Sequence, residues 1–479
     1  MEKKCMIFGC GAVGKVAYNK LNQIYNILAY IDNNKELWGN SMNKTSIISP
    51  TDAKQIHDDN EDIVIIIAVV KYYDIFLQLK QMGISNIMVW KSGLLYHCNG
   101  QYNLIPVEEI CIPYKKHNGE RMSVLFVQTS PCIRTNKIAK SLKDNGIETS
   151  LAYMDNSPHF NNNIYAKAYM NYYAINSFQG LINYINNSDY DLIHSSNEPD
   201  ILTALLSFSN KPVVHDCHDL SSAYKSMTPD EMAVEFIANV KSAGVIYTTE
   251  GIRNVALKKF GIRKEKTFVL ENLISEELIP DRHLDKISAS DGKMHIVYEG
   301  GIIGNDKMNH RFFETIWLKI ASQGIHIHFY SPSDYSYCTY LEKLHPNLHF
   351  EGNLSSRELS VEMSKYDVGL CWLNTNDKNK QYLEFASPNK IQEYVNAGIP
   401  VAVGNVESQI DYVEGHGFGK YLDLNSDIKK ELYEISNIKI PDKVLVEKEL
   451  TFERRIPYLM EYYENIKEHS CNSEIMSIE

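Results

Sequence analysis

Three times along this chain a short apolar run closes in a turn and passes directly into a helical segment. KKCMIFGCGAVGKVAYNKL opens the first series, MSVLFVQTS the second and DGKMHIVYEGGIIG the third. Strands separated by helices cannot pair as hairpins; they wind into parallel sheets covered by helices on both faces. IVIIIAVV, Ile63 to Val70, has no polar alternation, as suits a central strand, and is far too short to cross a bilayer. A chain of 479 residues needs more than one core. It therefore reads as α/β, with a Rossmann-like domain of nucleotide-binding type over 1–115, two further Rossmann-like halves over 121–287 and 288–449, and a helix and tail over 450–479. The polar stretch CIPYKKHNGER separates the first domain from the second series.

Composition narrows the function classes. A formal net charge of -12 argues against a nucleic-acid binder, although a local basic patch can still hold an anion. Nine cysteines without a CxxC pair read as reduced thiols. MEKKCMIFG enters a strand directly and lacks the apolar region of a signal peptide, so a protein of the cytoplasm, or of the inner face of the membrane, is expected.

SPNKIQEYVNAGIPVAV, residues 387–403, is the most informative segment. Ser387 suits an N-cap and Pro388 the first helical position. Gly398 ends the helix, and Ile399 to Val403 reads as a buried strand. Lys390 then sits in the first turn, where the helix dipole favours an anion rather than a cation. A diphosphate would satisfy both the lysine and the free N–H groups of the turn Ser387, Pro388, Asn389, Lys390. Glu393, one turn on, can accept both hydroxyls of a ribose. The plainer alternative is a solvated i,i+3 pair worth about 0.2 to 0.5 kcal/mol.

Other candidates are less specific. Gly9, Gly11 and Gly14 fit G-x-G-x-x-G after a strand, with Asp32 at the end of the next, a pattern that suits a nucleotide such as NAD(P) or simply tight strand-to-helix packing. Gly300 and Gly301 follow a strand, where backbone can approach a phosphate or a sugar. HDCHD, His215 to Asp219, resembles a metal cluster in composition, but alternate residues of a strand face opposite ways and no second ligand group is evident, so no metal is expected. Arg134 opens a helix spanning about Thr135 to Asn145 and either contacts substrate on the acceptor side or lies on the helix surface.

Residues 1–95, with FGCGAVGKVAYNKL and AYIDNNKELWG, resemble the small N-terminal Rossmann-like domain of many bacterial surface-polysaccharide enzymes. Residues 121 to about 466 resemble a glycosyltransferase of the GT-B fold, similar to the large retaining family that uses nucleotide-sugar donors. KPVVHDCHDL, IVYEGGIIG, LHFEGNLSSREL, YDVGLCWL and SPNKIQEYVNAGIPVAV carry that likeness, and FERRIPYLMEYYENIKEH resembles the closing helix that crosses back to the first half. The resemblance implies an acceptor half followed by a donor half, a nucleoside-diphosphate sugar as donor, a carbohydrate or lipid-linked carbohydrate as acceptor, and no cofactor for transfer. It implies that Glu393 holds the donor ribose, that the Ser387 to Lys390 turn binds the diphosphate, and that His218 contacts the donor sugar near its reacting carbon, with Lys390 stabilising the leaving group. Asp219 caps or orients the loop beside His218. Many members carry an arginine just after the glycine loop and a lysine a few residues on; here Ile302 to Asp306 offer no arginine, Lys307 is the candidate lysine, and Arg311 is a possible helper. Two other classes remain: an NAD-dependent sugar-nucleotide oxidoreductase run by the N-terminal domain, and a non-catalytic regulator that binds a nucleotide sugar.

Overall fold

The computed structural model describes residues 3–91, 93–100, 103–107, 121–154, 167–175, 177–196, 200–223, 225–377, 379–386 and 388–476. Ser387 and residues 111–120 of the polar linker lie outside them. The chain forms two compact units, one of residues 1–215, 241–243 and 470–479 and one of 216–240 and 244–469.

The first unit opens with strands β1 (Lys4–Phe8), β2 (Asn26–Ile31), β3 (Ser41–Met42), β4 (Thr45–Ile48), β5 (Val64–Ile67), β6 (Ile87–Lys91), β7 (Leu94–Cys98) and β8 (Leu104–Pro106). Their order is β3-β4-β2-β1-β5-β6-β7-β8. The centre, β4-β2-β1-β5-β6, is parallel, whereas β3, β7 and β8 pair antiparallel at the edges. Successive residues of β1 and β5 feed opposite cores: Met6, Phe8, Ile65 and Ile67 pack on one face, Cys5, Ile7, Val64 and Ile66 on the other. Burial on both faces is what removes polar alternation from IVIIIAVV. The same unit carries β9 (Ser123–Gln128), β10 (Glu148–Tyr153), β11 (Asn171–Ala174) and β12 (Leu192–Ser196), parallel in the order β11-β10-β9-β12. The helix expected near Thr135 to Asn145 runs Ile133–Asp144. The next strand, β13 (Val213–Cys217), contains the division between the units.

In the second unit β14 (Gly244–Tyr247) and β15 (Thr267–Val269) pair in parallel. The long helix Phe452–Met476 packs on them: Tyr462 donates its hydroxyl to the Lys266 carbonyl at 2.7 Å, and a β-carbon at Gly244 would strike Ile466 and Tyr462 at 2.4 Å. This packing groups residues 244–287 with the segment after them, so the unit boundary falls earlier than the sequence restart at 288. A third sheet comprises β16 (His295–Glu299), β17 (His326–Tyr330), β18 (Leu348–Phe350), β19 (Val368–Cys371), β20 (Val401–Val403) and β21 (Gly419–Tyr421), in the order β18-β17-β16-β19-β20-β21 and parallel throughout. Central β16 delivers Glu299, Gly300 and Gly301 to the carboxyl end of the sheet, where ligands of open α/β sheets bind.

Gly369, on the neighbouring β19, leaves room for an aromatic ring: a β-carbon there would lie 2.2 Å from Cγ of Tyr394. Gly369→Ala should therefore destabilise the protein by about 1–3 kcal/mol through overpacking. Gly415→Ala, in the helix Glu407–His416 with no atom within 4 Å of the new carbon, should stabilise it by about 0.5–1 kcal/mol. Thermal melting of the two variants measures the contrast.

Candidate functional site

The helix of the 387–403 segment spans Asn389–Asn396 and starts one position later than the sequence suggests. Pro388 is its N-cap, not its first residue, because ψ of 123° holds it extended. Its carbonyl accepts from the Ile391 N–H at 3.3 Å. The following strand is also shorter than Ile399 to Val403: Ile399 gives its N–H to the Tyr394 carbonyl at 3.1 Å to close the helix around Gly398. Gly398 has φ +73°, and a β-carbon there would meet the His283 ring at 2.6 Å, so the position requires glycine twice over.

Ile391, Tyr394 and Val395 form the buried face of this helix. Tyr394 locks it to the sheet: its hydroxyl accepts from the Glu299 N–H at 3.0 Å and donates to the Leu370 carbonyl at 3.2 Å. Lys390 and Glu393 are thereby turned to a cavity of about 350 Å³ at the end of β16. Gly300, Gly301, Pro388 and Asn389 line it, as do His218 and Asp219. Glu299, His310, Arg311, Thr248 and Asn272 complete its polar wall.

The glycine pair is explained by what stands over it. Gly300 has φ +115°, and a β-carbon there would come within 3.5 Å of Lys390 Nζ; one at Gly301 would lie 2.8 Å from Arg311 Nη1. Lys390 Nζ also sits 5.3 Å from the centre of the Tyr298 ring. Two cations thus converge on exposed backbone at one strand end, an arrangement that can hold a di-anion. Lys307 does not join them: it is exposed and outside the cavity lining, contrary to the sequence expectation. The loop after Gly301 folds back so that Ile303 donates its N–H to the Arg311 carbonyl at 3.0 Å. Asn374 clamps this fold through the Lys307 and Asn309 carbonyls at 2.9 and 3.0 Å, and Asn376 holds Met308 at 2.8 Å. Arg311, not Lys307, is consequently the residue that returns to the glycines.

HDCHD divides as its strand register requires. His215 faces Thr203 at 3.1 Å, Cys217 lies in an apolar cluster, and Asp216, fully buried, holds His218 Nε2 at 3.0 Å. Thr248 donates its hydroxyl to the His218 carbonyl at 3.0 Å, fixing the backbone of the cavity histidine. Among the described residues no group of three or more His, Cys, Asp or Glu is arranged to hold a metal ion. Arg134 is buried rather than on the helix surface.

The N-terminal glycine motif is built for packing. A β-carbon at Gly14 would lie 1.9 Å from the Gly9 carbonyl oxygen, and one at Gly9 would strike Val69 and Ala68, while Gly11 is the N-cap of the helix Ala12–Leu21. Asp32 accepts the Cys10 N–H at 3.0 Å and the Asn34 N–H at 2.9 Å, so its carboxylate closes the glycine loop onto β2.

Sequence reasoning missed Glu299 and His310. A carboxylate ending the central strand of a parallel sheet was the available signal for the first. Burial raises the Glu299 carboxyl, and the neighbouring Glu393 raises it further, against the opposing pull of Lys390 and Arg311. Burial opposes charge on Lys390, yet Tyr298 and Glu299 facing it hold its pKa above the ordinary lysine value. Burial, with Arg311 and Lys390 nearby, lowers the His310 imidazole to about 4, which leaves it neutral at pH 7.

Residues 134–278 match Glycosyltransferase Family 4, residues 312–445 match the Glucosyltransferase 3-like C-terminal domain, and residues 1–89 match the C2185-like N-terminal domain. No curated protein matches the chain. Among solved structures, a glycosyltransferase from Rickettsia africae ESF-5 aligns at 10% identity over 72% of this chain and 99% of that one, with a TM-score of 0.50, which shows a shared fold. Anabaena Alr3699/HepE in complex with UDP aligns at 15% identity over 75% and 100% of the two chains, with a TM-score of 0.48. AviGT4, a glycosyltransferase involved in Avilamycin A biosynthesis, aligns at 10% over 72% and 98%, with a TM-score of 0.43. With two glycosyltransferase models matched in order along residues 134–445, the chain is a glycosyltransferase built on the GT-B fold.

Proposed function

We propose that the protein transfers a sugar from a nucleoside-diphosphate sugar to a hydroxyl of a carbohydrate acceptor in the assembly of a bacterial surface polysaccharide or glycoconjugate, with retention of anomeric configuration and without a metal. One observation carries the donor assignment: Lys390 and Arg311 converge over Gly300 and Gly301, with Glu393 one helical turn away. In this reading residues 288–449 hold the donor and residues 121–287 receive the acceptor, with Arg134 on the acceptor side, while Tyr462 and Ile466 of the last helix pack on β14. Lys390, Arg311 and the N–H groups of Asn389 and Lys390 meet the charge that develops on the leaving diphosphate. Glu393 accepts the ribose hydroxyls, and His218, oriented by Asp216, faces the reacting carbon with Asp219 beside it. Bond cleavage sends the electron pair to the β-phosphate oxygen, and the acceptor oxygen forms the new bond to the sugar carbon as its proton passes to that phosphate oxygen.

Among the described residues no helix is long and apolar enough to cross a membrane, so an acceptor carried on a lipid would be met from the membrane surface. The packing of Gly9 and Gly14 and the loop-closing contacts of Asp32 account for the N-terminal motif without NAD, so the N-terminal domain takes no part in transfer in this reading.

Calorimetric titration of UDP, GDP, dTDP and NAD separates the possibilities. One nucleoside diphosphate should bind, and Glu393→Ala should weaken it by about 1–3 kcal/mol, as for loss of charged hydrogen bonds. Binding of NAD alone, unchanged by that substitution, overturns the donor assignment. With the preferred nucleotide, Arg311→Ala should reduce affinity by about tenfold or more, whereas Lys307→Ala should stay within about twofold; a larger loss at Lys307 would return the lysine to the site.

A further inference from the structure

A second cavity, of about 280 Å³, shares Ala386 and Pro388 with the donor cavity. The helix Asn389–Asn396 lines both, the first with Lys390 and Glu393, the second with Ile391 and Gln392. Among the described residues no lysine, arginine or histidine lines the second. Its three carboxylates already have partners: Glu384 accepts the Glu407 and Ser408 N–H groups, each at 3.2 Å, Glu250 pairs with Arg253, and Glu271 lies 3.7 Å from Arg455.

Its two carboxamides are less well served. Gln392 and Gln409 are only 6% and 3% exposed. Gln392 donates to the Tyr412 hydroxyl, yet its Oε1 has no partner among the described residues; Gln409 accepts the Cys371 thiol at 3.8 Å, yet its Nε2 has none. A buried polar atom left unpaired lowers stability, so each such atom asks for a reason. Both residues line this one cavity, which has far more room than a single water needs.

We propose that the second cavity is a carbohydrate-binding site that takes one uncharged sugar ring. A hydroxyl both donates and accepts, so a ring bearing several meets Gln392 and Gln409 whichever end of its amide each presents. The C–H face of the ring meets Ile391, Pro388 and Ala386, the apolar part of the wall. Apolar lining with a few convergent polar groups is the usual make-up of a small-ligand pocket. Charge sets the choice of ligand: three carboxylates without a lining cation repel a phosphorylated sugar or a nucleotide, which the lysine and arginine of the donor cavity attract. The inference does not rest on the donor assignment, because neither Lys390, Arg311 nor Glu393 takes part.

Saturation-transfer NMR on the full chain tests it, with glucose, galactose and N-acetylglucosamine as probes beside the disaccharides maltose, lactose and chitobiose. At least one should bind, and a phosphorylated form of the same sugar should compete about tenfold more weakly or not at all. A disaccharide that binds more tightly than its monosaccharides marks the ring as a unit of the acceptor chain; equal affinity marks it as a free sugar. Gln409→Met and Gln392→Met should each weaken binding by about tenfold or more, while Arg311→Ala, in the donor cavity, should leave it within about twofold. Gln409→Met should melt no lower than wild type, since it removes an unpaired buried amide, so thermal melting separates a lost contact from a lost fold. Three results overturn the proposal: no binding of any of these sugars, binding that survives both glutamine variants, or binding lost in Arg311→Ala, which puts the sugar in the donor cavity.

Discussion

The hydroxyl of Tyr394 is the contact on which the donor cavity depends. It ties the short helix Asn389–Asn396 to two neighbouring strands at once, through the last amide of β16 and the carbonyl of Leu370 on β19. A helix of eight residues is marginal on its own. Its position is set instead by the phenol, by its buried apolar face, and by Asn396, which donates to the Leu278 carbonyl at 2.8 Å and to the Ser360 hydroxyl at 3.0 Å. With both ends held, Lys390 and Glu393 inherit their direction from the fold, not from their own side-chain preferences.

The two glycine loops show how one local pattern serves two ends. In the N-terminal sheet, Gly9 and Gly14 press backbone on backbone, and Asp32 closes the loop with its carboxylate. In the third sheet, Gly300 and Gly301 yield space to the charged tips of Lys390 and Arg311. The first kind of glycine is filled by its own chain; the second kind leaves room for a ligand.

Fold class was legible because parallel strands buried on both faces must be apolar throughout, as Cys5 to Phe8 and Val64 to Ile67 are. The short edge strands β7 and β8 were not, since antiparallel edges carry a weaker pattern. At the site, spacing put Lys390 and Glu393 on one helix face, and the fold turns that face to the cavity. Arg311 stood only as a helper behind Lys307, because what brings it back to Gly301 is a fold of the loop held by Asn374 and Asn376 from a segment more than sixty residues away in sequence. Glu299 carried only a signal of position, the end of a central parallel strand; its character comes from burial and from Glu393 beside it. The one-residue shift at Pro388 lies within the ordinary scatter of helix ends.

The seating of the Tyr394 ring on Gly369 has a consequence for how this sequence can change. A larger residue at 369 needs a smaller one at 394, but shrinking 394 removes the hydroxyl that pairs with the Glu299 amide and the Leu370 carbonyl. Neither position can drift alone, and drifting together sacrifices the anchor of the donor helix. The pair is therefore a lock on substitution, and relatives with the same site geometry should vary freely around these two residues while keeping glycine and tyrosine matched.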